Sequence, residues 1–472
     1  MRLCASVVKQ FANRYPMGAT SWNPGQTLWD GAPSSSTFWI CTSIACLVPL
    51  FALACQLSWK SQHARAGLAK PDSAARWTPQ LFEYPRIEPC QEYGFETTLP
   101  LPYRPFRWGD YYVTMGLRQG EWDEWIQLDN RFREYHRIKA YRHSIRGQQC
   151  VQTLPARDHV ASGAEAAREA VQELAEYLCR RYPQVYEVKR ALPRANDYGW
   201  YGEGQIQLIT ITPLNVVYDL EKEDPMAVAG MLAQDDLALM ITGTDRKHYL
   251  QAGSILVPGF WRLEDKIGLP LASIHTSGDV PQYKEKLEFS MDRFFTKLQP
   301  DKLMARNNYF VQVLYDCPPS ETTVHTTREF DPHELGWSTS SLGVEEAFAA
   351  GHGLGDQPDR DTGSNPYIPS SNRGSPTAGD LFFRTERQTL RRLPRTGAIL
   401  FTIRTYLDPV TQLANEPGVP GRMASAVRSW PDDVAQYKGQ HRYKDVLLEY
   451  LDGMHEQQVQ QGRDQSSTKY PF

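Results

Sequence analysis

Twenty-two consecutive residues, Phe38 to Trp59 (FWICTSIACLVPLFALACQLSW), carry no charge, and a helix of that length crosses a hydrocarbon core of about 30 Å. The run reads as one membrane-spanning helix, in which Pro49 is tolerated. Lys60, Arg65, Lys70 and Arg76 follow closely, whereas the twenty residues before it carry only Asp30. The positive-inside bias therefore places the C-terminal bulk in the cytosol, as a single-pass membrane protein. A secretory signal fits less well, because the run lies deep in the chain without a basic segment beside it. A buried core helix is the bland alternative. The organisation expected is a disordered tail over 1–37, the transmembrane helix over 38–59 and a linker over 60–92. One folded domain over 93–460 follows, interrupted by a flexible Gly/Ser/Pro/Asp-rich insertion at 351–379, with a tail over 461–472.

The net charge of -4 over 472 residues offers no basic stripe for nucleic acid. Cys41, Cys46 and Cys55 sit inside the apolar run, and the other five cysteines form no CxxC pair. Neither a disulfide framework nor a cysteine zinc site is indicated, which agrees with a reducing compartment. No P-loop, GxGxxG, HExxH, GxSxG or EF-hand string occurs, so those chemistries lose their entry points.

Hydrophobic periodicity predicts a helix over Gly163 to Tyr182, closed before Pro183, and another over Gln282 to Leu298. Alternation predicts strands over Gln205 to Leu220, Asp236 to Thr242, Ser254 to Leu263, Asn308 to Tyr315, Leu381 to Gln388 and Ala398 to Leu407. The fold class is α+β, with a mostly antiparallel sheet and flanking helices. The tryptophans of the stretch from Trp108 to Asp129 are expected to pack the domain edge.

Two clusters carry candidate chemistry. In ILVPGFWRLEDKIGLPLASIHTSGDVP, His275 ends a short apolar run ahead of Gly278 and Pro281. An imidazole presented there could ligate a metal or haem iron through one nitrogen while the other is oriented by a carbonyl or carboxylate. It could equally serve loop carbonyls. In LFFRTERQTLRRLPRTGAILFTIRTYL, strand geometry puts Arg384, Glu386 and Gln388 on one face and Phe383, Thr385 and Arg387 on the other. Such a strand either faces a pocket or forms a solvated charged edge. Arg391, Arg392 and Arg395 crowd a Pro turn, where they could clamp anionic groups or stand in solvent.

At these strings the chain becomes recognisable. GFWRLEDKIGLPLASIH, EKLEFSMDRFFTKL, ARNNYF and above all FRTERQTLRRLPRTGAILFTIRTYLDP resemble the alpha subunit of haem-dependent oxidative N-demethylase, in a form similar to fungal members, over roughly Tyr93 to Leu451. The resemblance implies a PAS-like antiparallel sheet holding haem b, with dioxygen activated at its iron to demethylate an amine. It implies His275 as the haem-iron ligand and Glu386 as the carboxylate that orients an ammonium substrate. Arg384 and Arg387 would position Glu386 or hold propionates, and Arg306 with Asn307 or Asn308 would line the pocket. Electrons would come from a separate flavin or iron-sulfur reductase, since no such motif is visible in this chain. A haem-binding sensor or carrier on the same fold, and a cofactor-free membrane-tethered interaction domain, are the rival readings.

Overall fold

A twelve-residue strand in which every residue is buried, five of them charged, organises this protein. In the computed structural model, residues 77–79, 82–314, 335–338, 342, 345 and 375–465 are described, all within one compact unit, Ser73–Phe472. The strand is β9 (Leu381–Arg392). It pairs antiparallel with β8 (Met304–Val313) on one side and β10 (Ile399–Pro409) on the other. The seven-stranded sheet runs β1 (Arg118–Gln119), β8, β9, β10, β6 (Asp236–Thr242), β7 (His248–Ser254), β2 (Val151–Thr153). All of its pairings are antiparallel. A second sheet joins β3 (Tyr186–Arg190), β4 (Ile206–Ile211) and β5 (Val216–Asp219).

Helices cover both faces of the large sheet, and this is why β9 is a central strand and not a solvated edge. The front face carries Arg384, Glu386, Gln388 and Leu390. Leu390 packs with Leu271 of α4 (Leu271–Thr276) and with Met291 and Phe295 of α5 (Glu288–Lys297). The back face carries Thr385, Arg387, Thr389 and Arg391, covered by α2 (Ala164–Arg181), whose Val171, Leu174 and Leu178 are fully buried. Helix α1 (Phe132–Arg146) and α3 (Pro225–Leu232) precede and follow it, and the remaining helices are α6 (Val410–Leu413), α7 (Val419–Arg428), α8 (Asp432–Tyr437) and α9 (Lys444–Gln460).

Several expectations are revised. The fold class joined an antiparallel α+β domain to one transmembrane helix, and the second part is corrected. Among the described residues no helix is long and apolar enough to cross a membrane. The longest helix, α2, carries Glu165, Arg168, Glu169, Glu173, Glu176, Arg180 and Arg181 among its apolar residues, a pattern unsuited to lipid. Phe38 to Trp59, the tail 1–37 and residues 351–374 of the insertion lie outside the described residues. Within the stretch read as a linker, Trp77 donates to the Pro394 carbonyl at 2.9 Å and Tyr84 donates to Glu173 at 2.6 Å while stacking on Trp200.

The strand expected over Gln205 to Leu220 is a hairpin. Its break is a 3-10 turn at Thr212–Leu214, where Pro213 withdraws an N–H and Asn215 adopts φ +52. The strand expected over Ser254 to Leu263 is not one: the strand here is β7, which precedes that span and shares only Ser254 with it. Beyond it the Asp236 carboxylate takes the Leu256 and Val257 N–H groups that a ladder would otherwise use.

Candidate functional site

His275 stands in the last turn of α4, where its Nδ1 lies 2.8 Å from the Leu271 carbonyl oxygen. A carbonyl can only accept, so Nδ1 carries the proton and Nε2 keeps its lone pair. The ring stacks on Tyr283, with centroids 4.8 Å apart and planes within 9°. Burial, helped by the Arg306 and Lys266 charges, pushes the imidazole down to about 4 despite the Leu271 bond. The side chain is therefore neutral at physiological pH, with one basic nitrogen available.

Glu386 sits on the front face of β9, directly across from Asn308 on β8 and Thr405 on β10. Its Oε2 accepts from Gln388 at 3.0 Å, and Arg384 Nε lies 3.9 Å from Oε1. Arg384 itself is wholly buried. It donates to the Val257 carbonyl at 3.0 Å and lies over the rings of Phe260 and Phe310. Gly259, at φ +79, lets the backbone pass: a Cβ there would come within 2.4 Å of the Arg384 guanidinium carbon. Arg384 thus locks the loop after β7 onto the strand and holds Glu386 in place.

Arg306 lies opposite Gln388 in the β8–β9 register, a diagonal neighbour of Glu386 on the same face. Its Nε is buried without a hydrogen-bond partner, and burial lowers its pKa against the opposing pull of Glu386. The Arg306 charge also acts on His275, Lys438, Tyr111 and Tyr437, so it is the electrostatic centre of the cluster.

The structure does not bring every expected residue together. Arg387 and Asn307 face each other across β8 and β9 on the back of the sheet. Arg387 spends its guanidinium on the carbonyls of Trp125 and Glu124 and lies over the Tyr103 ring. These two residues therefore do not share a face with Glu386: side chains alternate faces along a strand, and the odd positions of both strands point away.

Sequence reasoning missed Lys438 and Tyr437, at the end of α8. Lys438 Nζ donates to the Tyr309 carbonyl and lies 4.7 and 5.2 Å from the ring centres of Tyr309 and Trp430. Desolvation pushes it down to about 7, with Glu386 opposing and Arg306 reinforcing the shift. Tyr437 is pushed up to about 12 by burial and by Glu386. No local motif announces either residue; the neighbouring Trp430-Pro431 pair is the only hint of an aromatic wall.

The front face thus defines a class of protein that presents one neutral imidazole within reach of a guanidinium, with a carboxylate diagonal to that guanidinium on the next strand. The family model for haem-dependent oxidative N-demethylase, alpha subunit-like, matches residues 116–448, and the chain belongs to this family. The family name ties it to haem-dependent oxidative N-demethylation, an enzymatic oxidoreductase chemistry.

The residues present fit a haem. Among the described residues no group of three or more His, Cys, Asp and Glu could hold a metal, whereas a haem iron needs only one axial protein nitrogen. His275 has that nitrogen, and Trp261, Ile274, Met304 and Phe401 offer partly exposed apolar surface on the same cluster.

Proposed function

We propose that His275 ligates a haem b on the front face of the seven-stranded sheet, where the chain oxidatively removes a methyl group from an amine. The observation that supports this reading is the Nδ1–H to Leu271 carbonyl bond, which fixes the tautomer and leaves the Nε2 lone pair unused. Bound there, the haem supplies dioxygen activation and oxidation of the carbon next to nitrogen. The overall balance is N-methylamine, dioxygen, two electrons and two protons giving amine, formaldehyde and water. The electrons come from an external reductase carrying flavin or an iron-sulfur centre.

The chain's own residues do the rest. Leu271 accepts from Nδ1 and Tyr283 stacks on the ring, which holds the imidazole in one orientation as the outer partners of a metal-ligating histidine do. Glu386 pairs with the substrate's ammonium and brings the methyl group into a fixed position, which removes orientational freedom before reaction. Arg384 and Gln388 keep the carboxylate in that position, and Asn308 offers an amide across the strand.

Absorption spectroscopy of protein expressed with added haem tests the reading. A Soret band with near-stoichiometric haem, lost in His275→Ala while the far-ultraviolet circular dichroism is unchanged, is expected. A His275→Ala protein that keeps the wild-type band and haem content sinks it.

A further inference from the structure

Helix α5 covers the sheet with one side and borders an open groove with another. The groove has a volume of about 440 Å³, and Met115, Phe289, Phe294, Leu298 and Met304 give it apolar walls. Phe289 is 77% exposed. A phenylalanine standing alone in water needs no explanation. This one adjoins Met115, Phe294 and Met304, all only partly buried, so that the apolar surface is continuous, as at sites that receive a partner.

The charge around the groove has one sign. Arg293, Lys297 and Lys302 line it, and among the described residues no carboxylate does. Lys302 is answered by Asp301 at 3.1 Å. Arg293 and Lys297 are exposed, and among the described residues neither side chain makes an ion pair or a hydrogen bond. Phe289, Arg293 and Lys297 recur every fourth residue of α5 and so form one stripe. Like charges at that spacing repel each other, and the helix places no acid between them. Its own acids, Glu288 and Asp292, stand about 100° around the axis from this stripe, on the side where they act on Tyr283. Glu285 precedes Arg293 by eight residues, about 12 Å of helical rise.

The shape of the groove selects the occupant. A small-molecule site encloses most of its ligand, whereas this groove is open and its aromatic and cationic side chains stand out from it. An anionic bilayer is a flat surface and would also meet Glu288, Asp292 and Asp301 around the groove. A protein partner can send one side chain into the concavity and set its acids only where the cations are. We propose that this groove is a docking site for an acidic protein partner, which seats one apolar side chain against Phe289, Met115 and Met304 and lays carboxylates on Arg293 and Lys297. Aromatic, methionine and arginine side chains are those that interfaces favour, and a guanidinium takes a carboxylate with two parallel N–H donors. Neither His275 nor Glu386 lines the groove, so the docking site stands independently of the demethylation reading.

Fluorescence anisotropy of the full chain with a labelled peptide, a central leucine flanked on each side by three glutamates, tests the assignment. Wild-type protein is expected to bind this peptide about tenfold more tightly than the same peptide with glutamines, and to lose that margin at high ionic strength. Carbodiimide, which joins a carboxylate to a lysine without a spacer, should link the peptide to Lys297 ahead of the other lysines. Arg293→Glu together with Lys297→Glu should weaken binding about tenfold, and Phe289→Ser should weaken it with either salt level, while the far-ultraviolet circular dichroism is unchanged. Equal binding of the two peptides, or cross-links spread over other lysines, overturns the proposal in the wild-type protein alone, whether or not the variants fold. Phosphatidylserine vesicles that sediment the wild-type protein but not the double variant overturn it in favour of a membrane surface.

Discussion

The two faces of β9 handle buried charge in opposite ways. On the back, Arg391 is enclosed by Trp122 and Trp125, each ring centre 4.7 Å from the guanidinium, and is paired with Glu173. Arg404 is paired with Asp129 and lies 4.1 Å from the Tyr135 ring centre. These cations are structural, each compensated by a carboxylate and by aromatic faces that attract a desolvated positive charge. On the front, Arg306 has no acid and His275 is kept neutral. Charges that are compensated internally hold a fold together, whereas a cation without an internal partner stays available to water or a ligand.

The largest test of this contrast is Arg391→Ala. Removing one partner of a buried pair leaves Glu173 without its cation, with only the Tyr84 and Trp200 donors still on it, and a loss of about 3–5 kcal/mol is expected. Urea denaturation followed by tryptophan fluorescence measures it. A loss under about 1 kcal/mol would show that the aromatic enclosure does not depend on the pair.

Acid stability comes next. Burial lowers His248 and His136 to about 4, as it does His275, against about 6.5 in an unfolded chain. The unfolded state therefore binds more protons between pH 6.5 and 4, and stability falls as pH drops through that window. For His248, which is 2% exposed with neither ring nitrogen bonded, the full effect is on the order of 3 kcal/mol. His248→Phe, which keeps the ring beside Phe295, should flatten the acid limb of a thermal-melt series; an unaltered slope would assign the acid sensitivity elsewhere.

On the front face, Glu386→Gln should leave haem bound and cost about 2–4 kcal/mol of productive amine binding, the scale for losing one partner of a buried charge pair. Steady-state kinetics with an amine substrate, beside reduction and oxygen-binding rates that stay near normal, would display it. Unimpaired turnover would return Glu386 to a purely structural place beside Arg384.

The smallest effect sharpens the contrast most. Arg306→Met should leave the ligand-free protein within about 1 kcal/mol of wild type, or slightly stabilise it, because no acceptor loses its partner. If its melting curve drops as far as that of Arg391→Ala, the front-face arginine is structural after all.

Much of this could be read from the chain, and the particulars show why. Alternation is a local property, so the antiparallel strands, the common face of Arg384, Glu386 and Gln388, and the helix closed before Pro183 follow from short-range geometry. So did the family resemblance, carried by contiguous strings such as ERQTLRRLP. The break at Thr212 was missed because it depends on a turn inside an uninterrupted alternating run. The strand expected after Ser254 does not form because Asp236, a residue of another strand, takes the N–H groups of Leu256 and Val257. Whether β9 was a solvated edge or a buried centre could not be decided locally, since both carry the same alternation.

The sequence by itself determined the period of each element, the side of its own strand on which each charge falls, and the family to which the chain belongs. Only the tertiary structure decided which faces meet. It was the β8–β9 register that set Arg306 diagonal to Glu386, that sent Asn307 and Arg387 to the back, and that brought Lys438 from a distant helix against the edge of β8. The physical reason is that strand pairing and helix packing join residues far apart in the chain, and burial then sets their charge states by what surrounds them, information that no local stretch of sequence contains.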